Sequence, residues 1–273
     1  MRKIKFDIIK KMKKIPVIIP FFKDHNALNE AKESLAIQKI ATEIFIRDNT
    51  NDNILYTKAI NEGLRKFCFS NLHDYILVMN QDANLSPNCL EVLFKTMEDN
   101  PKCGIATPVA VDSQGNSTWY GGLEAFPWGR HRTKENKDKE FEPFHTPWAN
   151  GACMMFRVNM IKEIGLLDEN MRFICSDADY SFTARSRGWE ILVAPGAIIE
   201  HALGASASLE NDWLNKVKLA DQIYFGEKWL SGDLYKKLAY EGSKLTMLMV
   251  VDELRKSKAY LHLNKKTIKT EDI

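Results

Sequence analysis

The strongest constraint on the fold is an alternation of short apolar runs rich in β-branched residues with longer stretches of helical periodicity. The run IPVIIPFF at 15–22 precedes LNEAKESLAIQKI, in which apolar residues recur near helical spacing. The same order returns in TEIFIRD before NILYTKAINEGLRKFCFS, and in YILVM before NCLEVLFKTMEDNP. Strands that alternate with helices form β-α-β units, so the sequence predicts an α/β fold with a mostly parallel sheet covered on both faces.

The second half of the chain departs from this rhythm. The charged stretch at 128–145, WGRHRTKENKDKEFEPFH, is predicted to be a surface loop. A strand and a helix are predicted in WANGACMMFRVNMIKEIGLLDE, and a helix, a strand and a loop in SDADYSFTARSRGWEILVAPGAIIEHALG. The region after Trp213 reads as helical, with a charged end.

Composition excludes several classes of protein. The net charge of the 273-residue chain is only +2, which argues against a dedicated nucleic-acid binder. The five cysteines show no C-x-x-C spacing, as expected for reduced thiols rather than a disulfide framework or a zinc site. No apolar window reaches the ~20 residues of a membrane span, and no signal peptide is evident. The sequence therefore predicts a cytoplasmic protein.

Polar side chains are concentrated where predicted strands end. The clusters are RDNTND with Asp48, NQDAN with Asp82 and Asn84, EH at Glu200 and His201, and SDAD with Asp177 and Asp179. Open parallel sheets bind ligands at the carboxyl ends of their strands, and Asp and His ligands without thiolates suit Mg²⁺ or Mn²⁺. Taken singly, each carboxylate is better explained as a loop-forming or helix-capping residue, and it is their joint position at one end of the sheet that favours a ligand site.

Motifs for other chemistries are absent from the sequence. It has no Walker A pattern, no G-x-G-x-x-G after the first strand, no G-x-S-x-G and no H-E-x-x-H. A nucleotide bound at the strand ends would therefore be held through a metal ion and polar loop groups rather than through a glycine-rich cradle.

These segments together resemble glycosyltransferase family 2 enzymes of the GT-A fold, particularly the rhamnosyltransferase-like branch of bacterial polysaccharide synthesis. The matching segments, in the family's order, are VIIPFF, SLAIQ, IRDNTND, AINEGL, YILVMNQDANLSP, WANGACMMFRVNMIKEIGLLDE and SDADYSFTARSRGWEILVAPGAIIEH. They span about residues 15–205, and seven weak motifs in the right order form a specific signal.

The resemblance implies a Rossmann-like, mostly parallel sheet with a small antiparallel portion. It also implies a division into a basic leader (1–14), a GT-A catalytic domain (15–210) and a helical C-terminal extension (211–273). Within the catalytic domain, the nucleotide-binding half would cover about residues 15–112 and the acceptor-binding half about 113–210.

The resemblance also implies a role for each site residue. Asp177 would be the general base of an inverting transfer, and Asp82 and His201 would hold a divalent metal ion, Mn²⁺ or Mg²⁺. The nucleoside-diphosphate sugar would contact Pro20, Phe22, Asp48, Asn61 and Asp82. The sugar or the acceptor would contact Trp148, Asn150, Gly151 and Asp179.

Alternatives remain open at this stage. The chain has Asn84 where the family's D-x-D motif has a second Asp, and Ser176 where a Glu usually precedes the base. These departures motivate a second hypothesis, a non-catalytic relative that binds glycans or nucleotide. A third, less favoured hypothesis is a nucleotidyltransferase, which would need a Gly-rich phosphate loop that the first strand lacks.

The predicted partners are a nucleoside-diphosphate sugar and a glycan or lipid-linked acceptor. The acceptor is expected near the aromatic side chains Trp119, Tyr120, Trp128, Trp148 and His145, although half or more of these residues could instead pack in the core. The leader MRKIKFDIIKKMKK carries seven basic residues with apolar residues near i, i+4 spacing. It could lie on the inner face of the plasma membrane, or be an arm without fixed structure.

Overall fold

The structure is a computed structural model that describes residues 14–123, 130–133, 142–201 and 212–231. The strands are β1 (Ile15–Phe21), β2 (Thr42–Asp48), β3 (Tyr75–Met79), β4 (Asn84–Leu85), β5 (Cys103–Val111), β6 (Ser117–Trp119), β7 (Gly122–Leu123), β8 (Arg130–His131), β9 (Phe144–His145), β10 (Cys153–Arg157) and β11 (Glu190–Glu200). The helices are α1 (His25–Ala36), α2 (Leu55–Cys68), α3 (Cys89–Asp99), α4 (Val158–Ile164), α5 (Ser176–Ser186) and α6 (Asp212–Ser231).

The central sheet has the strand order β2-β1-β3-β10-β5-β11-β4, with β6 added to β5 and β9 added to β11. The pairs β1–β2, β1–β3 and β5–β11 are parallel. Strand β10 runs antiparallel between β3 and β5, and β4, β6 and β9 add further antiparallel pairs. The predicted α/β fold, with its mostly parallel sheet and antiparallel portion, is confirmed.

Alternation along β1 shows why the sheet is covered on both faces. Val17 and Ile19 pack into one hydrophobic cluster and Ile18 into another, and all three are fully buried. Successive side chains of a strand point to opposite faces, so a continuous apolar run serves two cores at once. Leu28 of α1 belongs to the first cluster, and Leu64 of α2 belongs to the second.

Helix α1 begins earlier than the sequence indicated. The predicted apolar pattern starts at Leu28, whereas the helix starts at His25 because the side chain of Asp24 accepts a hydrogen bond from the backbone N–H of Ala27. A carboxylate in this position satisfies one of the free donors at a helix N-terminus.

The C-terminal helix α6 packs against α2, α5 and the segment that precedes α5. Its Leu214 and Val217 form a small cluster with Leu55 of α2 and with Phe173. Further along α6, the ring of Trp229 packs edge-on against Phe182 of α5. A helix in the predicted extension is therefore present at 212–231, and residues 232–273 lie outside the described residues.

Other predictions concern the thiols and the ends of the chain. All five cysteines are free, and four of them are buried. Within the described ranges, no helix has the length and apolar character needed to cross a bilayer. Residues 1–13 of the predicted leader, most of the predicted surface loop and Trp128 lie outside those ranges. The predicted domain boundaries stay predictions.

Candidate active site

A cleft of about 780 Å³ opens where the predicted strand ends meet. This volume is within the ~300–1,000 Å³ of typical small-molecule sites. Among the described residues, its lining comes from the end of β1, the loop after β3, the segment before β10, the start of α5, and helices α2 and α6. These lining residues include Pro20, Phe22, Lys23, Asn49, Tyr56, Asn80, Gln81, Asp82, Asn150, Gly151, Ala152, Phe173, Ile174, Cys175, Ser176, Asp177, Leu214 and Lys218.

The antiparallel strand β10 explains why two distant segments meet here. Cys153, which starts β10, pairs with Met79, which ends β3. The residues before β10 and those after β3 consequently lie at the same edge of the sheet, and the backbone N–H of Asn80 donates to the carbonyl of Ala152 at 2.9 Å. The predicted residues Asn150 and Gly151 thereby line the same cleft as Asp82.

Gln81 connects the ends of β1 and β3. Its side-chain oxygen accepts from the backbone N–H of Phe22 at 2.6 Å, and its side-chain nitrogen donates to the carbonyl of Phe22 at 3.2 Å. Pro20 and Phe22 both line the cleft, and their contact with a sugar donor stays a prediction.

Asp82 and His201 lie side by side although 119 residues separate them in the sequence. The Oδ1 atom of Asp82 is 3.5 Å from Nε2 of His201. His201 directly follows β11, whose Glu200 pairs with Asn84 of β4, and this short ladder brings the histidine to the loop that carries Asp82.

The chemistry of this pair fits a hard divalent cation. One carboxylate oxygen and one imidazole nitrogen, 3.5 Å apart, are close enough to contact the same ion. Nearby, Oδ1 of Asn84 is buried and has no hydrogen-bond partner among the described residues. The described ranges contain no group of three or more His, Cys, Asp or Glu side chains arranged to hold a metal. Two protein ligands are typical of an ion that also binds waters and substrate phosphates.

Asp177 points into the cleft from the first turn of α5. Its Oδ2 accepts from the backbone N–H of Gly151 at 2.9 Å, and its Oδ1 accepts from the N–H of Ala178 at 2.8 Å. Burial raises the pKa of Asp177 above its ordinary value, while these two backbone hydrogen bonds oppose the shift. The result is an oriented carboxylate of increased basicity in the cleft wall.

Tyr56 and Gly151 complete the surroundings of this carboxylate. The Tyr56 hydroxyl donates to the carbonyl of Gly151 at 2.8 Å, and burial raises the pKa of the phenol well above its ordinary value. A Cβ at position 151 would lie 3.1 Å from both Oδ2 of Asp177 and the Tyr56 hydroxyl, so only glycine lets the three groups approach without displacement.

Asp179 has contacts that differ from those implied by the resemblance. Its side chain is 2% exposed, accepts from Nε1 of Trp229 at 3.0 Å, and pairs with Nζ of Lys228 at 2.8 Å. Both partners belong to α6, and Asp179 is not among the described residues that line the cleft. The Asp179 carboxylate thus joins α5 to α6, instead of contacting the sugar or acceptor as the resemblance implied.

Asn61 also lies away from the cleft. Its amide nitrogen donates to the carbonyl of Leu167 at 2.8 Å and its amide oxygen accepts from the Leu167 N–H at 3.0 Å, so the side chain joins α2 to the loop after α4. Asp48 is exposed, and its carboxylate accepts from the backbone N–H of Thr50 at 2.8 Å. Interaction with Thr50, first with its side chain and then with its backbone, lowers the pKa of Asp48. The neighbouring Asn49 lines the cleft instead, with a buried Oδ1 that has no partner among the described residues.

The aromatic residues expected near the acceptor divide between surface and core. Trp119, Tyr120 and Trp148 are buried, and the rings of Trp119 and Trp148 lie 5.9 Å apart. The Trp148 indole donates to the carbonyl of Leu123. These three residues follow the alternative of core packing, whereas His145 is exposed on β9.

Sequence reasoning missed the contribution of α6 to the cleft. Leu214 and Lys218 line it, one helical turn apart. The signal available was the apolar spacing of Leu214 and Val217, which predicts a buried face without indicating what that face covers. Tyr56 and Gln81 were also missed, because their roles depend on backbone groups of distant segments.

The mixed α/β sheet with a polar cleft at its strand ends agrees with the GT-A fold that the motifs imply, and comparison with known families assigns the class. A model of the family described as "Glycosyltransferase like family 2" matches residues 52–216, more than half of the chain. The chain therefore belongs to this family, and the resemblance noted from its motifs is confirmed.

Two curated relatives are particularly informative. They are N-acetylglucosaminyl-diphospho-decaprenol L-rhamnosyltransferases from two strains of Mycobacterium tuberculosis, each 24% identical over 147 residues. The match covers 47% of this chain and 47% of each relative, so the chain spans about half the length of the curated relatives it matches.

Solved structures with low sequence identity share the fold. A crystal structure of GalNAc-T7 with UDP, GalNAc and Mn²⁺ has a TM-score of 0.64 at 13% identity, covering 94% of this chain and 58% of that one. A crystal structure of S. aureus TarS has a TM-score of 0.55 at 12% identity, covering 95% of this chain and 46% of that one. At this level of identity the likeness concerns the fold alone.

Proposed function

We propose that the protein is an inverting glycosyltransferase that moves a sugar from a nucleoside diphosphate to a hydroxyl of a glycan or lipid-linked acceptor. The single observation that carries the proposal is Asp177, a carboxylate held by two backbone N–H groups in the wall of the cleft that also contains Asp82. The rhamnosyltransferase name of the curated relatives favours a rhamnosyl donor and a diphospho-lipid acceptor.

Asp177 would act on the acceptor. Its raised pKa suits a base that takes the proton of the attacking hydroxyl late in the transfer, when that oxygen has become acidic. The N–H groups of Gly151 and Ala178 hold both carboxylate oxygens in place, so the base needs little reorganisation during the reaction.

Asp82 and His201 would hold the divalent ion. When bound, such an ion neutralises charge that develops on the departing diphosphate. The Nδ2 atom of Asn80 lies 3.5 Å from Nε2 of His201. Lys23 and Lys218 add positive charge to the lining of the cleft. The nucleotide would rest against Pro20, Phe22 and Asn49, where the unpartnered oxygen of Asn49 offers an acceptor.

The test is turnover of a panel of nucleoside-diphosphate sugars, beginning with a nucleoside-diphosphate rhamnose, in the presence of Mn²⁺. Release of nucleoside diphosphate is measured with and without diphospho-lipid acceptors. The Asp177→Asn variant should lower kcat by about 10²–10⁴-fold, the usual contribution of a general base.

Three results would oppose the proposal. Full activity of Asp177→Asn would remove the assigned base. Binding of donor without turnover under all conditions would favour the non-catalytic alternative, and release of pyrophosphate would indicate a nucleotidyltransferase. The predicted contact of the basic leader with a membrane stays a prediction, because residues 1–13 lie outside the described ranges.

A further inference from the structure

A buried carboxylate of α6 contacts the backbone of the segment that leads to the candidate base. The side chain of Asp221 is fully buried. Its Oδ2 accepts from the backbone N–H of Phe173 at 2.7 Å and from that of Ile174 at 3.0 Å. On the other side, its Oδ1 lies 3.9 Å from Nε of Arg172, too far for a hydrogen bond.

The segment bound by Asp221 forms one wall of the cleft. Phe173, Ile174 and Cys175 all line it, and Cys175 is immediately followed by the first residue of α5. Asp177 is the second residue of that helix, so the position of its carboxylate depends on how the segment enters the helix.

The entry into α5 has an unfavourable backbone conformation. Cys175 has φ +67°, in the left-handed region that non-glycine residues rarely occupy. Such conformations persist only where surrounding contacts enforce them, and they concentrate at functional sites. The N–H groups of the two preceding residues are both taken by Asp221, so its carboxylate supplies part of that enforcement.

Burial raises the pKa of Asp221 to about 6, which means that the folded protein holds this carboxylate at a cost. What the cleft wall uses is therefore the pair of hydrogen bonds from Phe173 and Ile174, which require a side-chain oxygen at this place. The two N–H bonds that Asp221 accepts are of the charge-assisted kind, which are shorter and stronger than neutral ones.

We propose that Asp221 is a positioning residue of the transfer reaction: by binding the N–H groups of Phe173 and Ile174, it fixes the 172–175 segment and so places Asp177 in the cleft. The inference rests on the proposed function and adds a residue outside the family match, which ends at 216. Asp221 does not touch substrate in this assignment and acts through the backbone.

The experiment compares Asp221→Ala with Asp221→Asn in the full 273-residue chain. Alanine removes the acceptor, whereas asparagine keeps a neutral oxygen for the two N–H groups. Release of nucleoside diphosphate from the sugar donor in Mn²⁺ is measured below the unfolding temperature of every variant. Because a small misplacement of a catalytic group is costly, Asp221→Ala should lower kcat by about 10–100-fold with the donor KM changed by less than about threefold. Asp221→Asn should keep kcat within about threefold of the wild-type value.

Hydrogen exchange provides a readout that is independent of turnover. In the wild-type protein and in Asp221→Asn, the amides of Phe173 and Ile174 should be protected, and in Asp221→Ala they should exchange faster. Lys228→Met serves as the control for loosened docking of α6, because Lys228 contacts α5 and Asp168 but not the 172–175 segment. It should lower the unfolding temperature and leave kcat per folded protein within about threefold.

The outcomes separate the two levels of the proposal. Wild-type kcat in Asp221→Ala, or an equal loss of kcat in Lys228→Met, would overturn the positioning role while leaving the transferase assignment intact. Unchanged amide exchange in Asp221→Ala would also overturn it. A wild-type protein without turnover on any donor would overturn the proposed function, and the positioning role with it.

Discussion

The two walls of the cleft are built in different ways. One wall comprises Asn80, Gln81 and Asp82, which directly follow β3, a strand paired with β10 over all five of its residues. His201, directly after β11, contacts Asp82 and is not itself among the described lining residues. The second wall, residues 173–177, is an irregular segment and a helix start, held by the side chain of Asp221 in α6 and by the backbone of Gly151. The first wall is fixed by sheet geometry, and the second by a few specific hydrogen bonds.

This difference predicts how each wall responds to mutation. Loss of a side chain such as that of Asp82 from the strand-end wall should remove its contact with the metal ion without moving the backbone. The backbone stays in place because hydrogen bonds to neighbouring strands hold β3 on both sides. Loss of a contact behind the helix wall should move the backbone itself. The two walls should therefore be separable by measuring metal dependence, turnover and stability in the same set of variants.

The largest expected difference is between Asp82→Ala and Asp177→Asn. Asp82→Ala should raise the Mn²⁺ concentration for half-maximal activity by at least about 10–100-fold, the effect known for weaker, indirect metal contacts. Asp177→Asn should lower kcat and leave the Mn²⁺ requirement unchanged, because its carboxylate lies on the other wall. Activity is measured against Mn²⁺ concentration, and an unchanged Mn²⁺ dependence in Asp82→Ala would contradict the assigned metal position.

The next effect tests the docking of α6. Lys228→Met leaves the buried carboxylate of Asp179 without its cation. The fold should lose about 3 kcal/mol of stability. This is the lower end of the range for a broken buried ion pair, chosen because the Lys228 side chain is 31% exposed. Chemical denaturation measures the change. Lys216→Met, which removes an exposed i,i+4 pair with Asp212 on the same helix, should change stability by less than about 0.5 kcal/mol. Equal losses in both variants would disprove the special role of the Asp179 pair.

Asp221→Asn should stabilise the fold near neutral pH. The folded-state pKa of Asp221, about 6, is raised from 3.8, so its favourable contribution is complete below pH 3.8 and is lost as the pH rises through about 6. Asparagine imitates the protonated acid and should gain about 2–3 kcal/mol at pH 7.5.

Because the gain comes from removing a buried charge, it should shrink as the pH falls toward 4. Among the described residues, the ionisable groups that face Asp221 are Arg172 and the Cys175 thiol, and burial raises the pKa of that thiol so that it stays neutral. Denaturation at several pH values measures the dependence, with the exposed Asp212→Asn as control. A gain that is independent of pH would show that ionisation of Asp221 is not its source.

The smallest expected effect concerns the contact of Gly151, in the segment before β10, with Asp177 of the helix wall. Gly151→Ala places a Cβ 3.1 Å from Oδ2 of Asp177 and should cost about 1 kcal/mol of stability, with a fall in kcat as the carboxylate shifts. Gly196→Ala is the matched control, because its Cβ would meet Val92 at 3.5 Å, an ordinary contact. Thermal unfolding and kcat are measured for both variants, and equal behaviour would show that the approach at Gly151 is not tight.

The strand-end wall could be read from the sequence, and the helix wall only in part. Apolar runs with polar ends predicted the sheet and the position of Asp82, because strand ends in a parallel sheet converge whatever the loops do. Asp177 was identified by resemblance. Asp179 was assigned to the same cleft, but residues two apart on a helix, with 3.6 residues per turn, point to nearly opposite sides. Its partners Lys228 and Trp229 lie about fifty residues later, where no local pattern could connect them.

The pairing of Gln81 with Phe22 has a mechanical consequence. Its side-chain amide presents a donor and an acceptor as a peptide group does, so it adds one rung to the sheet beyond the paired residues of β1 and β3. A planar ligand ring that stacks on Phe22 would contact a residue fixed to the sheet rather than one in a mobile loop. Little of the ligand's binding free energy would then be lost in ordering Phe22, because its hydrogen bonds with Gln81 already hold its backbone in place.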